Sequence, residues 1–163
     1  METTSYYQSP IGAIKVTATE AAVRSIVFAD AHKEAKTSAP SAIAKECLTQ
    51  LDEYFAGKRT SFDFPYIFYT GTEFQQKVWA ELMNIPFGET ISYKQLALRL
   101  GDVNLIRAAG AANGKNPMTI VAPCHRVIGS DGKLVGYAGG LWRKQWLLEH
   151  EQKLAGTQQP SLF

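Results

Sequence analysis

Only two cysteines occur in these 163 residues, and one of them, Cys124, is followed directly by a histidine in Pro123-Cys124-His125-Arg126-Val127. The thiolate is the nucleophile, so a base or positive charge beside such a cysteine makes it a candidate for covalent chemistry. Adjacent side chains diverge on a strand and lie about 100° apart on a helix. Unless the backbone turns sharply, His125 therefore reaches the Cys124 sulfur only through a bridging water, with a carboxylate fixing its tautomer. Glu149 and Glu151 in Leu148-Glu149-His150-Glu151 are both candidates, and spacing does not choose between them. Cys47 falls on an apolar stripe and is expected to be a buried, inert thiol.

The elements that must position Cys124 lie on either side of it. Met118-Thr119-Ile120-Val121-Ala122 is mostly apolar and is expected to be an extended, buried segment. Ser130-Asp131-Gly132 reads as a tight turn joining Val127-Ile128 to Leu134-Val135 in a short hairpin. Gly139-Gly140 precedes a last helix expected to turn Leu141, Leu148 and either Trp142 or Trp146 to the core, and the tail at Gln158-Gln159-Pro160 reads as frayed. Upstream, Thr72-x-x-Gln75 and Ser92-x-x-Gln95 are capping-box patterns. The first heads a helix with Phe74, Val78 and Leu82 on one face, ended by Pro86 and Gly88; the second heads a helix lined by Leu96 and Leu100 and broken by Gly101. Asp102 or Asn104 can cap a further helix to Asn113-Gly114, which completes a helix-turn-helix outline. Arg107-Ala108-Ala109-Gly110-Ala111-Ala112 gives that helix one long cation on an almost bare surface, suited to close approach by another helix or another molecule.

The N-terminal part has a different character. Ile14, Val16 and Ala18 alternate with Lys15, Thr17 and Thr19 within a strand meander over 5–28. Residues 30–40 read as a polar, mobile loop. From Ser41 the positions Ile43, Cys47, Leu48, Leu51, Tyr54 and Phe55 recur at helical spacing as far as Gly57, and 62–70 could add a strand or a crossover. The expected fold is α/β of the α+β kind. Residues 1–70 form an antiparallel sheet with a helix, and 71–163 form a mostly helical unit with a helix-turn-helix.

An apolar content of 45% and a charged content of 20% suit a chain that buries a real core. No apolar run is long enough to span a membrane, and the first residues lack a secretory pattern, so an intracellular, reduced setting is expected, cytoplasmic or, in a eukaryote, nuclear. Two cysteines 77 positions apart make neither a disulfide framework nor a metal-ligand cluster, and His32 and His150 are read as ordinary polar residues. Residues 1–71 hold seven Lys/Arg against eight Asp/Glu, whereas 72–163 hold ten against seven. Between Thr90 and Arg126 five bases face one acid, Asp102, an excess that suits phosphate contact and is also common on plain solvated faces.

Pro123-Cys124-His125-Arg126-Val127 resembles the signature of the O6-alkylguanine-DNA alkyltransferases, the methylated-DNA–protein-cysteine methyltransferases. The surrounding Gly88-Glu89-x-x-Ser92-Tyr93-x-x-Leu96-Ala97, Arg107-Ala108-x-Gly110, Asn116-Pro117, Tyr137-x-Gly139-Gly140-Leu141 and Trp146-Leu147-Leu148-x-His150-Glu151 resemble that family in the same order, over about residues 72–155. The resemblance implies a ribonuclease H-like N-terminal domain and a winged-helix-like C-terminal one. It implies single-use transfer of the alkyl group from O6-alkylguanine, and from O4-alkylthymine, in double-stranded DNA to Cys124, after the base is flipped out through the minor groove. His125 would act as base through water, oriented by Glu151. Tyr93 would stand at the mouth of the site and protonate N3 of the departing guanine. Arg107 would fill the space left in the stack, with Ala108, Ala109, Gly110, Lys115 and Arg126 on the DNA side. Asn116 would brace the turn under the site, and the backbones of Cys124 and Val127 would read the guanine edge. Ala138 stands where many relatives carry a serine, so only its backbone N–H could serve. The resemblance implies no cofactor and no metal, and a monomer whose cooperativity along DNA stays open.

Three rivals remain. A non-catalytic relative that flags alkyl lesions lacks the active cysteine, which is present here. A thiol hydrolase leaves Arg107 and the bare helix without a job. A helix-turn-helix regulator leaves Pro-Cys-His-Arg unexplained.

Overall fold

The computed structural model describes residues 1–29 and 39–156, so the expectations for His32, for most of the 30–40 segment and for Gln158-Gln159-Pro160 lie outside the described residues. The chain divides into two compact units. One holds Met1–Thr70 together with Pro117–Thr119; the other holds Gly71–Asn116 and the chain from Ile120 onward.

The first unit is built on β1 (Thr3–Ser9), β2 (Gly12–Ala18) and β3 (Val23–Phe28), paired antiparallel in that order. The alternation in β2 works as expected for Ile14, Val16 and Ala18, which are fully buried. Thr17 is buried as well, because its hydroxyl pairs with that of Ser25 beside a bulge at Thr17/Ala18. Helix α1 (Ala42–Phe55) starts at Ser41, whose side chain accepts the Ala44 N–H, and it buries Ala44, Cys47, Leu51 and Tyr54. Residues 62–70 supply one parallel bridge, Tyr66 to Val23, rather than a strand. Met118 bridges Ile26 in the same way, through Ile26 N–H to the Pro117 carbonyl at 2.9 Å and Thr119 N–H to the Ile26 carbonyl at 2.9 Å. Both bridges occupy backbone groups of β3 that an open edge would leave unpaired.

In the second unit both capping boxes form. Thr72 and Gln75 head α2 (Glu73–Leu82), and Ser92 and Gln95 head α3 (Tyr93–Arg99). Gly101, at a φ of 114°, turns the chain into a 3-10 segment, Val103–Leu105, capped by Asp102. Helix α4 (Ile106–Gly114) follows directly with no side-chain cap of its own. α4 packs against α2 and α3, and the Trp79 indole N–H donates to the Ala112 carbonyl at 2.8 Å. Small residues on α4 permit this close packing.

Two expectations about the segments around Cys124 need correcting. The 118–122 run is not an extended strand. It turns, with Ile120 at a φ of 72°, a conformation that costs a β-branched residue strain. The 127–135 hairpin does not form either. Its turn closes, with Gly129 N–H to the Lys133 carbonyl at 2.8 Å, but β5 (Val127–Ile128) pairs parallel with β4 (Ile91–Ser92) instead of with Leu134-Val135. Helix α5 (Leu141–Ala155) buries Leu147 and Leu148, whereas Leu141 and Trp142 are exposed. No helix among the described residues is long and apolar enough to cross a membrane.

Candidate active site

Cys124 is aimed by backbone torsions. Pro123 has φ −81° and ψ 68°, and the Cys124 N–H donates to the Ala122 carbonyl at 2.7 Å. Together these define an inverse γ-turn, whose φ the proline ring favours. Asn116 Nδ2 donates to the same Ala122 carbonyl at 2.6 Å. The chain then enters a 3-10 turn, Cys124–Arg126, that ends where the Val127 N–H meets the Cys124 carbonyl. The sharp turn the sequence left open is thus present. Cys124 keeps 6% of its surface exposed while His125 shows none.

His125 Nε2 lies 2.8 Å from Glu151 Oε2, and its Nδ1 has no hydrogen-bond partner among the described residues. Arg126 grips the same carboxylate with two arms, Nε to Oε1 at 2.7 Å and Nη2 to Oε2 at 2.9 Å, and its Nη1 donates to the Ile85 carbonyl at 2.6 Å. Burial alone would raise the Glu151 carboxyl, yet His125 and Arg126 hold it well below the usual carboxylate range. Burial lowers His125 below the ordinary imidazole value against the pull of Glu151, so the neutral ring is favoured. A neutral imidazole whose Nε2–H points to a carboxylate presents Nδ1 as a proton acceptor.

Lys144 closes the far side. It is fully buried, and its Nζ donates to the carbonyls of Val127 at 2.6 Å, Val135 at 2.9 Å and Gly136 at 3.2 Å. Three acceptors match the three donors of an ammonium. Burial pulls its pKa down to about 8, while Cys124 works in the opposite direction. The Tyr93 hydroxyl donates to the same Val135 carbonyl at 3.2 Å. Tyr93, Ile106, Arg107, Gly110, Ala111, Val135 and Gly136 line a cavity of about 330 Å³. The arrangement offers a nucleophile, a base with its orienting carboxylate, a buried cation and an apolar recess next to a phenol.

Several expected residues are placed otherwise. Arg126 spends its charge on Glu151 and is 6% exposed, so it is not part of an outward basic face. Ala109 is fully buried on the packed side of α4, whereas Ala108, Arg107 and Lys115 are exposed and Gly110 is half-buried. Ala138 is exposed, and Val127 is buried with its carbonyl on Lys144. Glu149 is exposed and accepts from Gln145 on the helix surface; His150 stacks on Trp146. Among the described residues no three His, Cys, Asp or Glu side chains gather to hold a metal. Lys144 and Asn113 were missed. The signal for Lys144 was its spacing, since Lys144, Leu147, Leu148 and Glu151 fall at i, i+3, i+4 and i+7 on one helical face.

Comparison with known proteins covers both units. Residues 73–153 match the family model described as 6-O-methylguanine DNA methyltransferase, DNA binding domain, and residues 3–66 match 6-O-methylguanine DNA methyltransferase, ribonuclease-like domain. The methylated-DNA–protein-cysteine methyltransferase of Methanosarcina barkeri is 43% identical over 149 residues, 89% of this chain and 94% of that protein. The chain belongs to the O6-methylguanine-DNA methyltransferase family. The methyltransferase fold is shared as well. The crystal structure of the Mycobacterium tuberculosis O6-methylguanine methyltransferase matches with a TM-score of 0.84 at 39% identity, covering 94% of each chain. The Mycobacterium tuberculosis protein in complex with DNA matches at 0.82 and 40% identity, over 91% of this chain and 92% of that one.

Proposed function

We propose that this methyltransferase-family protein reverses O6-alkylguanine damage in DNA by taking the alkyl group onto Cys124, once per molecule. The observation that carries this reading is the buried imidazole of His125, held by Glu151 at Nε2 and with no partner for Nδ1 among the described residues, one residue from the buried Cys124 thiol. In the proposed step a water passes the Cys124 proton to Nδ1. The sulfur attacks the alkyl carbon in line, the S–C bond forming as the O6–C bond breaks. The electron pair goes to the guanine, which takes a proton at N3 from the Tyr93 hydroxyl. The product is a thioether, and the other cysteine is buried in the first unit's core, so no thiol returns the protein to its starting state.

The base must leave the duplex to meet a buried sulfur, at a cost of a few kcal/mol that is smallest for a damaged, weakly paired base. Arg107, exposed on α4 and lining the cavity, is suited to fill the gap from the minor groove. Ala108 and Lys115 stand exposed beside it for backbone contact, and Gly110 lets the extruded base approach. Asn116 braces the turn through the Ala122 carbonyl. The same chemistry extends to O4-alkylthymine, and one molecule acts on one lesion.

Incubation with a duplex carrying O6-methylguanine, followed by intact-protein mass, tests the proposal. A gain of one methylene mass mapped to Cys124, absent from Cys124→Ala, is expected. Tight lesion binding without the gain would favour lesion flagging, and hydrolysis of an acyl ester with turnover would favour a hydrolase.

A further inference from the structure

We infer that Asn113 is a positioning residue for the reaction, its amide steadying the oxygen of Tyr93 when that phenol gives up its proton. The inference rests on the proposed role of Tyr93 as the acid that serves the departing guanine.

Asn113 lies on the packed face of α4 with Ala109 and Ala112 and is 3% exposed. Its Nδ2 is 3.5 Å from the Tyr93 hydroxyl oxygen and 3.3 Å from the Cys124 carbonyl. An amide has two N–H groups, so each donor serves one end of the chemistry: the backbone of the nucleophile and the oxygen of the acid. The remaining atom, Oδ1, is buried without a hydrogen-bond partner among the described residues. An orphaned buried acceptor is a cost to folding, and an apolar side chain of similar size would fill the place among alanines without it. The asparagine is therefore explained by its donors rather than by packing.

In the resting site the phenol donates to the Val135 carbonyl and accepts from Asn113. When the O–H bond breaks and the proton goes to guanine N3, the electron pair stays on the phenol oxygen and the Val135 bond is lost. The Asn113 N–H then faces an anion, where a hydrogen bond is shorter and stronger than at a neutral oxygen. A resting distance of 3.5 Å leaves room for that tightening. The Lys144 ammonium, 5.7 Å from the Tyr93 ring, adds positive charge on the same side. Burial and the neighbouring Cys124 both favour the neutral phenol, and the hydrogen bond from Asn113 acts the other way. The spent tyrosinate regains a proton and the His125 imidazolium loses one, directly or by exchange through solvent, so the net result is one proton moved from the thiol to the guanine.

The test separates transfer from binding in the full chain. Asn113→Leu removes both donors, and Asn113→Asp keeps the shape while offering acceptors only, so an unfolded leucine variant does not end the experiment. Single-turnover methyl transfer from an O6-methylguanine duplex is expected to fall about tenfold in Asn113→Leu and further in Asn113→Asp. Affinity for the same duplex, measured with Cys124→Ala present, is expected to change less than about threefold. In a Tyr93→Phe background the Asn113 changes should cost much less of the rate, because the phenol oxygen is gone and only the contact with the Cys124 carbonyl remains to be lost. Equal losses in both backgrounds, a loss confined to affinity, or no loss at all would overturn the inference. If Tyr93→Phe alone keeps the full rate, the acid role of Tyr93 fails first and the inference with it.

Discussion

Cys47 sits on α1 among Ala44, Leu51 and Tyr54 with none of its surface exposed, and burial pushes its thiol up to about 12. Cys124 is almost as hidden, at 6%, but its surroundings are of another kind. A proline-centred turn aims it, an imidazole with a free nitrogen follows it, and the electrostatic influence of Cys124 reaches Lys144 and Tyr93. Depth of burial does not separate the two thiols. What separates them is whether the buried neighbours carry donors, acceptors and charge that are themselves held in place.

The sharpest way to break this contrast is a small water-soluble thiol alkylating agent at neutral pH. Cys124 should react faster than Cys47 by on the order of a hundredfold or more, and the difference should vanish in denaturant. Comparable rates in the folded protein would mean that the polar frame does nothing for the sulfur. Next in size is Glu151→Gln, which removes the charge shared by His125 and Arg126. Methyl transfer should slow by roughly a hundredfold, and urea unfolding should show a loss of about 3–5 kcal/mol because Arg126 is left buried and unpaired. Lys144→Met keeps the length and removes the donors. The Val127 carbonyl loses its partner and the cavity wall at Val135 and Gly136 loosens, so we expect about 2 kcal/mol less stability and roughly tenfold slower transfer. The corresponding change at Cys47, Cys47→Ala, should lower stability by about 1–2 kcal/mol and leave transfer untouched.

Acid gives the mildest perturbation. His125 has a depressed folded-state pKa, so below the ordinary imidazole value near 6.5 the unfolded chain binds a proton that the native chain refuses. Stability should therefore fall as pH drops from 7 to 5, with a slope of at most about 1.4 kcal/mol per pH unit. Glu151, held low, adds its own loss only as pH falls below the usual carboxylate range. Urea midpoints at pH 7 and 5 for the native protein and His125→Asn check the sign, because the variant should lose most of the slope.

The local signals in the sequence were readable because they act locally. Thr72 and Ser92 cap helices through residues three positions away, and the strands of the first unit alternate over a few residues. Choosing Glu151 over Glu149 was not a local question. Two positions on a helix point about 200° apart, and only the packing of α5 shows which side is buried. That same face carries Lys144, and a charged residue inside an apolar stripe is the kind of exception that marks a site. The hairpin expectation failed because parallel pairing of β5 with β4, more than thirty residues away, outcompeted the nearer partner after the turn had formed. Asn113 was invisible for a similar reason, since nothing in its own segment shows that α4 turns it toward Tyr93 and Cys124 rather than toward solvent.

The turn at Pro123 assigns part of the reaction's precision to the unfolded chain. A pyrrolidine ring holds φ near the value the γ-turn needs, so the direction of the nucleophile is bought before folding begins rather than by a contact within the finished site. Replacing Pro123 by alanine need not disturb a single atom of the native arrangement to weaken it. The denatured ensemble gains freedom, and folding must then surrender about 0.4–1 kcal/mol more entropy to point the sulfur the same way.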